Sequence, residues 1–247
     1  MFRHQGKNRT FKHNLRLASN LSLIAGIVNS VGVLAIGTLT TNVTGHFAYF
    51  SEEFITGRYS NAVPYILYIL FFFLGAFVSN SFIEIAAIRK KKYLHTTPMF
   101  LELFLLVFVG FWNYWNFKNT ADTNQIAYLL LFAMGLQNAL VTKISQSTVR
   151  TTHLTGLFTD LGIEISQFIF YRNHPNTPKL KKNIFLKLSI VFFFFTGCIS
   201  GTLLFYQIGL KTLLLAAILI AIVLTMDNLI FYYNFTLRKL RRKTPVK

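Results

Sequence analysis

The strongest candidates for chemistry among the side-chain amides within long apolar runs of this 247-residue chain are Asn29, Gln137 and Asn138. Lipid offers an amide no hydrogen-bond partner, so a polar side chain at such a position is either paired within the protein or part of a site. The pattern leaves two interpretations open. The amides join helices through hydrogen bonds, with nearby glycines allowing close approach, or they bind a polar solute.

Two related segments follow these amides, Thr41–Phe47 and Thr152–Phe158, with the shared pattern Thr-polar-aliphatic-Thr-Gly-x-Phe. Each is typical of a helix break followed by a new helix start, with Thr44 or Thr155 as the N-cap. Such starts favour anions and form the substrate sites of several inverted-repeat transporters. An ordinary capped turn before an interfacial helix would carry the same sequence. The candidate substrate-binding residues are Asn29, Thr41, Thr44, Gly45, Gln137, Asn138, Thr152, His153, Thr155 and Gly156.

Three acidic residues are candidates for proton or cation coupling. Asp160 and Glu164 are four residues apart and therefore share one helical face, which could attract a cation or meet basic loops. Asp227 is the most deeply placed acid of the apolar runs, so it is the first choice for a proton-coupling residue.

The remaining chemistry-bearing residues favour structural roles. Glu84 and Glu102 flank the basic run at 89–92 and are expected to be its ion-pair partners. His46 and His153 have no further ligand at metal-binding spacing, so neither a metal nor a cofactor is expected. Phosphate-loop, dinucleotide and serine-hydrolase motifs are absent from the sequence, which argues against an enzyme.

Six apolar runs are long enough to cross a bilayer, which takes about 20 helical residues. A composition with 53% hydrophobic and 13% charged residues does not fit a soluble chain, and no run alternates with the period of a barrel strand. We therefore predict an all-α polytopic membrane protein with six transmembrane helices and two short re-entrant or interfacial helices. The spans are 19–40, 63–88, 97–116, 125–142, 184–207 and 211–234, and the short segments are 43–57 and 153–170.

The distribution of basic residues predicts the orientation. With six spans and a cytoplasmic N-terminus, 22 of the 25 Lys and Arg residues lie on the inner side, and only Arg58, Lys118 and Lys211 remain outside. This agrees with the positive-inside rule and predicts that both termini are cytoplasmic. The net charge of +17 is thus explained by topology, and no nucleic-acid partner is expected.

The two halves of the chain repeat one another. Gly26-x-x-Asn29 matches Gly135-x-x-Asn138, the two Thr-Gly segments match, and 71–75 matches 193–197, at offsets of 109, 111 and 122 residues. Two units of three spans must insert in opposite orientations, so the predicted fold is a 3+3 inverted repeat. The predicted division is a basic N-terminus (1–18), a first repeat (19–116), an outer linker (117–124), a second repeat (125–234) and a basic tail (235–247).

At these residues the chain resembles the YoaK-like family of bacterial membrane proteins, a domain-of-unknown-function group. The resemblance covers most of the chain and is most specific at 25–32, 43–45, 135–139 and 151–162. It implies six spans and a bacterial inner-membrane location, but no activity. Asn29 and His46 stand where many members have Asp and Asn, and this departure argues against a titrating acid in the first span.

These observations favour a secondary transporter or permease for a small solute, in which two inverted halves rock about a polar midplane site. The alternative is a non-transporting scaffold or regulatory protein whose basic inner face, including Arg241, Arg242 and Lys243, binds anionic lipid or a protein partner. A channel would use the same polar residues, and an intramembrane enzyme lacks a nucleophile or metal set. A homodimer is compatible with three spans per half, although no interface motif points to one.

Overall fold

The computed structural model describes residues 9–89, 96–112, 120–171, 175 and 177–243. Within these ranges the chain is all-helical, as predicted, and contains no strand. The helices are α1 (Phe11–Ile36), α2 (Thr44–Ile55), α3 (Tyr59–Ile88), α4 (Thr97–Gly110), α5 (Thr120–Ser145), α6 (Leu154–Phe170), α7 (Thr177–Ile208) and α8 (Thr212–Lys243), and one 3-10 turn, Gly209–Lys211, joins the last two.

A helix occupies each of the six predicted spans and each of the two short segments, but several ends differ. The first helix begins at Phe11, ahead of the apolar run at 19, and stops at Ile36 because Gly37 takes the left-handed conformation (φ 66°) that ends a helix. The basic ends at 1–8 and 244–247, and positions 113–119 of the third span and linker, lie outside the described residues.

Helix length and composition indicate a membrane protein. Four helical stretches are long and apolar enough to cross a bilayer, namely Phe11–Ile36, Tyr59–Ile88, Thr123–Ser145 and Thr177–Asp227. The last one contains α7 and half of α8, whereas α4 is a shorter apolar helix. Many large apolar side chains, such as Phe73, Phe77, Phe192 and Phe195, are exposed on the helix surfaces, which is the expected arrangement for lipid contact.

Two pairs of parallel helices form the centre of the bundle. Helix α7 packs against α1, with Gly197 beside Leu23 and Gly26 and with Gly201 beside Ile27 and Ser30, so the two helices advance in the same direction. The second pair is α3 and α5, in which Tyr68 is bonded to Asn124, Gly75 meets Phe132 and Glu84 is paired with Lys143. Both pairs are built from one helix of each half of the sequence.

The short helices fold back on the first turns of the long helices that follow them. Rings of α2 meet rings of α3 in antiparallel order, His46 with Tyr68, Tyr49 with Tyr65 and Phe54 with Tyr59. The α6–α7 pair has the same antiparallel form, with Asp160 bonded to Lys187 and Phe168 beside Lys181. We call the two ends of the bundle the α2 end and the α6 end, after the short helix that each one holds.

The remaining two helices, α4 and α8, run antiparallel. The two helices pack against each other, and Gly110 at the end of α4 lies beside Leu210 and Leu214 at the start of α8. The last turn of α4 and the first turn of α8 therefore share the α2 end with the last turn of α7.

Replacement of Gly26 tests the central packing. A Cβ atom there would lie 2.1 Å from the Phe194 carbonyl oxygen, and backbone cannot yield as a flexible side chain can. We expect Gly26→Ala to lower the free energy of unfolding by about 1–3 kcal/mol in detergent. Gly162→Ala is the matched control because nothing lies within 4 Å of its added Cβ, and it should stabilise α6 by roughly 0.5–1 kcal/mol. Equal thermal stability of the two variants would contradict this packing.

Candidate functional site

Each predicted amide–threonine cluster forms one hydrogen-bonded pair within its own half of the chain. The hydroxyl of Thr41 donates to Asn29 Oδ1 at 2.9 Å, and the backbone N–H of Thr41 donates to the same oxygen at 3.3 Å. In the second half the hydroxyl of Thr152 donates to Asn138 Oδ1 at 2.7 Å. Both amides therefore tie the last turns of a long helix, α1 or α5, to the segment that leads into the next short helix.

Gln137 has a different task, because it connects the two halves. Its side-chain nitrogen donates to the Leu21 carbonyl oxygen of α1 at 2.9 Å and lies 3.4 Å from the Thr151 hydroxyl. The side chain is fully buried, and its carbonyl oxygen has no hydrogen-bond partner among the described residues. Since Asn29 is eight residues beyond Leu21, the two amide–threonine pairs are separated by roughly 12 Å along α1.

The two pairs differ in their surroundings. Asn29 and Thr41 are buried at the α2 end, whereas Asn138 and Thr152 are half-buried at the α6 end. Asn138 faces a cavity of about 800 Å³ between α3 and α5, which we call the amide cavity; its lining includes Asn80, Ala139, Thr142, Lys143 and Ser147. The Asn138 side-chain nitrogen is buried and has no hydrogen-bond partner within the described structure.

The amide cavity is bordered by a strained turn. Gln146 and Ser147, which follow α5 directly, have φ angles of 51° and 60°, the left-handed region that non-glycine residues seldom occupy. The matching position after α1 is Gly37, which adopts the same region without a Cβ penalty. Ser147 N–H donates to the Thr142 carbonyl at 2.8 Å, and this contact holds the turn in place.

The predicted N-caps are wrong in detail. Thr44 is the first residue of α2, and its backbone N–H donates a hydrogen bond to Asn42 Oδ1 at 2.8 Å. The side chain that caps this helix start is therefore that of Asn42. Thr155 lies inside the first turn of α6, which begins after His153 and has no side-chain cap. Gly45 lies in the first turn of α2 and Gly156 in that of α6. The contact forms because an asparagine side chain can accept a hydrogen bond from the backbone N–H two residues further on, as in an Asx turn.

A second, charged cavity of about 580 Å³ adjoins the amide cavity, and the two share Ser147. We call it the cationic cavity; its charged lining residues are Arg150, Asp160, Lys179 and Lys187. Lys187 bridges two of the predicted coupling acids, at 3.1 Å from Asp160 and 2.9 Å from Glu164. The alternative that this acidic face meets basic residues therefore holds for both side chains. His153 and Gly156 lie in the same lining.

Glu84 and Glu102 were expected to pair with the basic run at 89–92, and this prediction is wrong where the described residues allow a comparison. Glu84 pairs with Lys143 of α5 at 2.7 Å, because α3 and α5 run side by side; residues 90–92 of the basic run lie outside the described residues. Glu102 is fully buried in α4, and neither carboxyl oxygen has a hydrogen-bond partner among the described residues. Asp227, on α8, is also buried.

Sequence reasoning missed Glu102 as a site candidate. It lies only five residues into α4, so it looked like a flank of the basic loop. The signal that could have found it is its spacing with Met99, Leu106 and Val109, which places the carboxyl on the buried face of the helix. No group of three or more metal-ligating side chains occurs among the described residues.

The fold and these clusters define a helical membrane protein with polar side chains buried between its helices. The family described as "Protein of unknown function (DUF1275)" matches residues 17–226, and the chain belongs to this family. The match agrees with the resemblance seen in the sequence motifs. Neither a curated protein nor a solved structure matches the chain.

Glu102 gives a direct test of its buried, unpartnered carboxyl. Replacement by Met removes both oxygens at similar volume, so we expect Glu102→Met to raise the free energy of unfolding by about 1–3 kcal/mol at neutral pH. Glu84→Gln, which breaks an exposed ion pair, should change it by less than about 1 kcal/mol. Thermal unfolding in detergent measures both. A clear loss of stability in Glu102→Met would mean that the carboxyl has a partner which the helix packing alone does not supply.

Proposed function

We propose that the chain is a secondary transporter or permease for a small polar solute, built from six crossing helices in two inverted halves. The crossing helices are α1, α3, α4, α5, α7 and α8, while α2 and α6 return without crossing. Helix direction supports this topology. Gly110 and Leu210 lie together at the α2 end, so the chain between them must cross the membrane an even number of times. Crossings by α5 and α7 meet this condition. A third crossing by α6 would make the number odd.

The pairing of helices supports the inverted repeat. If α1 corresponds to α5 and α3 to α7, the α1–α7 pair becomes the counterpart of the α5–α3 pair, and both occur. The same exchange relates the α2–α3 hairpin to the α6–α7 hairpin. It also relates the Asn29–Thr41 pair to the Asn138–Thr152 pair. An inverted repeat of this kind is the common architecture of secondary transporters.

The opposite exposure of the two amide–threonine pairs is the single observation that carries the transport proposal. One pair is buried at the α2 end, and its counterpart borders the amide cavity at the α6 end. Two inverted halves in unequal conformations give a protein open to one side, and exchange of their conformations opens the other side. With the α6 end in the cytoplasm, as the basic residues favour, this conformation is open inward.

A difference in packing between the α1–α7 pair and the α3–α5 pair also supports this mechanism. At the α2 end a Cβ on Gly201 would lie 2.2 Å from the Ser30 hydroxyl, so α1 and α7 touch there. The counterparts by offset are Ser79 on α3 and Ala139 on α5, and Ala139 lines the amide cavity. Rocking would close the gap beside Ala139 and separate Gly201 from Ser30.

The lining of the amide cavity favours a polar solute. Asn138 lies in this lining together with the polar side chains of Asn80, Thr142 and Lys143. Coupling to a proton would use Asp227 or Glu102, which are buried on the antiparallel α4–α8 pair, since Asp160 and Glu164 are engaged by Lys187.

Uptake into liposomes tests the proposal directly. Purified protein would be reconstituted and screened against small polar solutes, with and without a pH gradient. We expect saturable uptake that Asn138→Ala reduces at least about tenfold, since a lost hydrogen bond and an opened tether both act on the site. Asn20→Ala is the matched control, because its amide bonds the Arg16 carbonyl of its own helix and lies away from the cavity. Silence from folded protein across all solutes would favour the scaffold alternative.

Cysteine accessibility tests the alternation without knowledge of the solute. In a Cys198→Ser background, Ala139→Cys should react with a membrane-impermeant maleimide added at the α6 end, and its counterpart Ser30→Cys should be protected at the α2 end. Conditions that slow labelling of Ala139→Cys should speed labelling of Ser30→Cys, since one conformation exposes one site. Simultaneous rapid labelling of both positions would indicate a channel, and unchanging rates under every condition would contradict the rocking mechanism.

A further inference from the structure

The cationic cavity has the size and the enclosure of a small-molecule site. Its volume of about 580 Å³ falls within the range of roughly 300–1,000 Å³ that ligand pockets occupy. Three elements form its walls: the α5–α6 turn with Ser147 to Arg150, the first turns of α6, and the start of α7 with Lys179 to Lys187. A free inorganic ion would leave most of this space unfilled.

The charges around the cavity do not cancel. Asp160 is the only carboxylate in the lining that the described residues form, and the ammonium group of Lys187 already binds it. Glu164, outside the lining, binds the same ammonium group. Arg150 and Lys179 have no carboxylate partner among the described residues. Two cations in the lining of one cavity, each without a carboxylate partner among the described residues, favour an anionic ligand.

The donor set favours a phosphoryl group over a carboxylate. The Arg150 guanidinium can bind two oxygens of a phosphate at once, and Lys179 adds a point charge from the opposite wall. The hydroxyls of Ser147 and Thr148 lie in the same lining, and Gly156 in the uncapped first turn of α6 adds backbone N–H groups. Donors on several walls match an anion with three terminal oxygens better than one with two.

We propose that the cationic cavity binds a phosphoryl group carried by a small molecule or by a lipid headgroup, with Arg150 and Lys179 as its principal ligands. The site is separate from the solute path through the amide cavity and stands whether or not the chain is a transporter. Among the described residues, Ser147 alone lines both cavities.

The test uses the full-length protein, purified in detergent and freed of phospholipid. Glycerol 3-phosphate and inorganic pyrophosphate are titrated by calorimetry as soluble probes. In parallel, native mass spectrometry compares retention of phosphatidylglycerol and phosphatidylcholine after reconstitution with each lipid. We expect saturable binding in at least one arm, and Arg150→Gln and Lys179→Gln should each weaken it about tenfold, since each removes a charge-assisted hydrogen bond.

Lys182→Gln is the matched control, because this residue lies on the same helix as Lys179, is exposed and does not line the cavity. Its binding should equal that of the unaltered protein, and thermal unfolding checks that all variants are folded. Binding of the soluble probes identifies a free phosphorylated ligand, and selective retention of phosphatidylglycerol identifies a lipid headgroup. Equal weakening by Lys182→Gln, or no saturable binding in either arm, would overturn the site.

Discussion

The structure depends on backbone contact between helices that come from opposite halves of the chain. Gly26 meets Gly197 in one pair and Gly75 meets the backbone at Phe132 in the other, at distances that leave no room for a Cβ atom. Lipid removes the hydrophobic drive for helix association, so close van der Waals contact and buried polar bonds must supply it. Because each central pair takes one helix from each half, neither half can complete its packing alone.

The close backbone contact extends further along the α1–α7 pair than along the α3–α5 pair. Along α7 a third small residue, Gly201, extends the contact to Ser30 at the α2 end. Along α3 the corresponding residue is Ser79, and the helices leave a cavity beside Ala139 at the α6 end. Gly201 and Ser79 differ by one hydroxymethyl group, which changes the packing free energy by an amount on the order of 1–3 kcal/mol. In the proposed transport mechanism, two arrangements of one helix pair would therefore lie close enough in free energy for a ligand to shift between them.

The sequence predicted the elements well and their partners poorly. Apolar length located every long helix. The paired motifs placed Thr41 and Thr152 near their amides, because the two residues of each bond are only 12 or 14 positions apart in the sequence. Hydrogen bonds such as that from Gln137 to Leu21 join residues far apart in sequence, and no local pattern encodes them. Glu102 was misread for a different reason, since its spacing with Met99 and Leu106 places it on the buried face of α4, while its position near the basic run suggested a flank.

The α2–α3 and α6–α7 hairpins have the same backbone arrangement but are held together by different interactions. Helix α2 is held on α3 by aromatic contacts, His46 edge-to-face with Tyr68 and Tyr49 stacked on Tyr65, and such contacts need neither water nor counter-ions. Helix α6 is held on α7 by Lys187 and its two carboxylates, contacts that salt and competing anions weaken.

An anion in the cationic cavity would compete with Asp160 for Lys187 and would touch the strained turn at Ser147, which also borders the amide cavity. Such an anion would therefore act on helix packing beside Asn138 at the α6 end, whereas the aromatic contacts between α2 and α3 offer no charged group for it to displace.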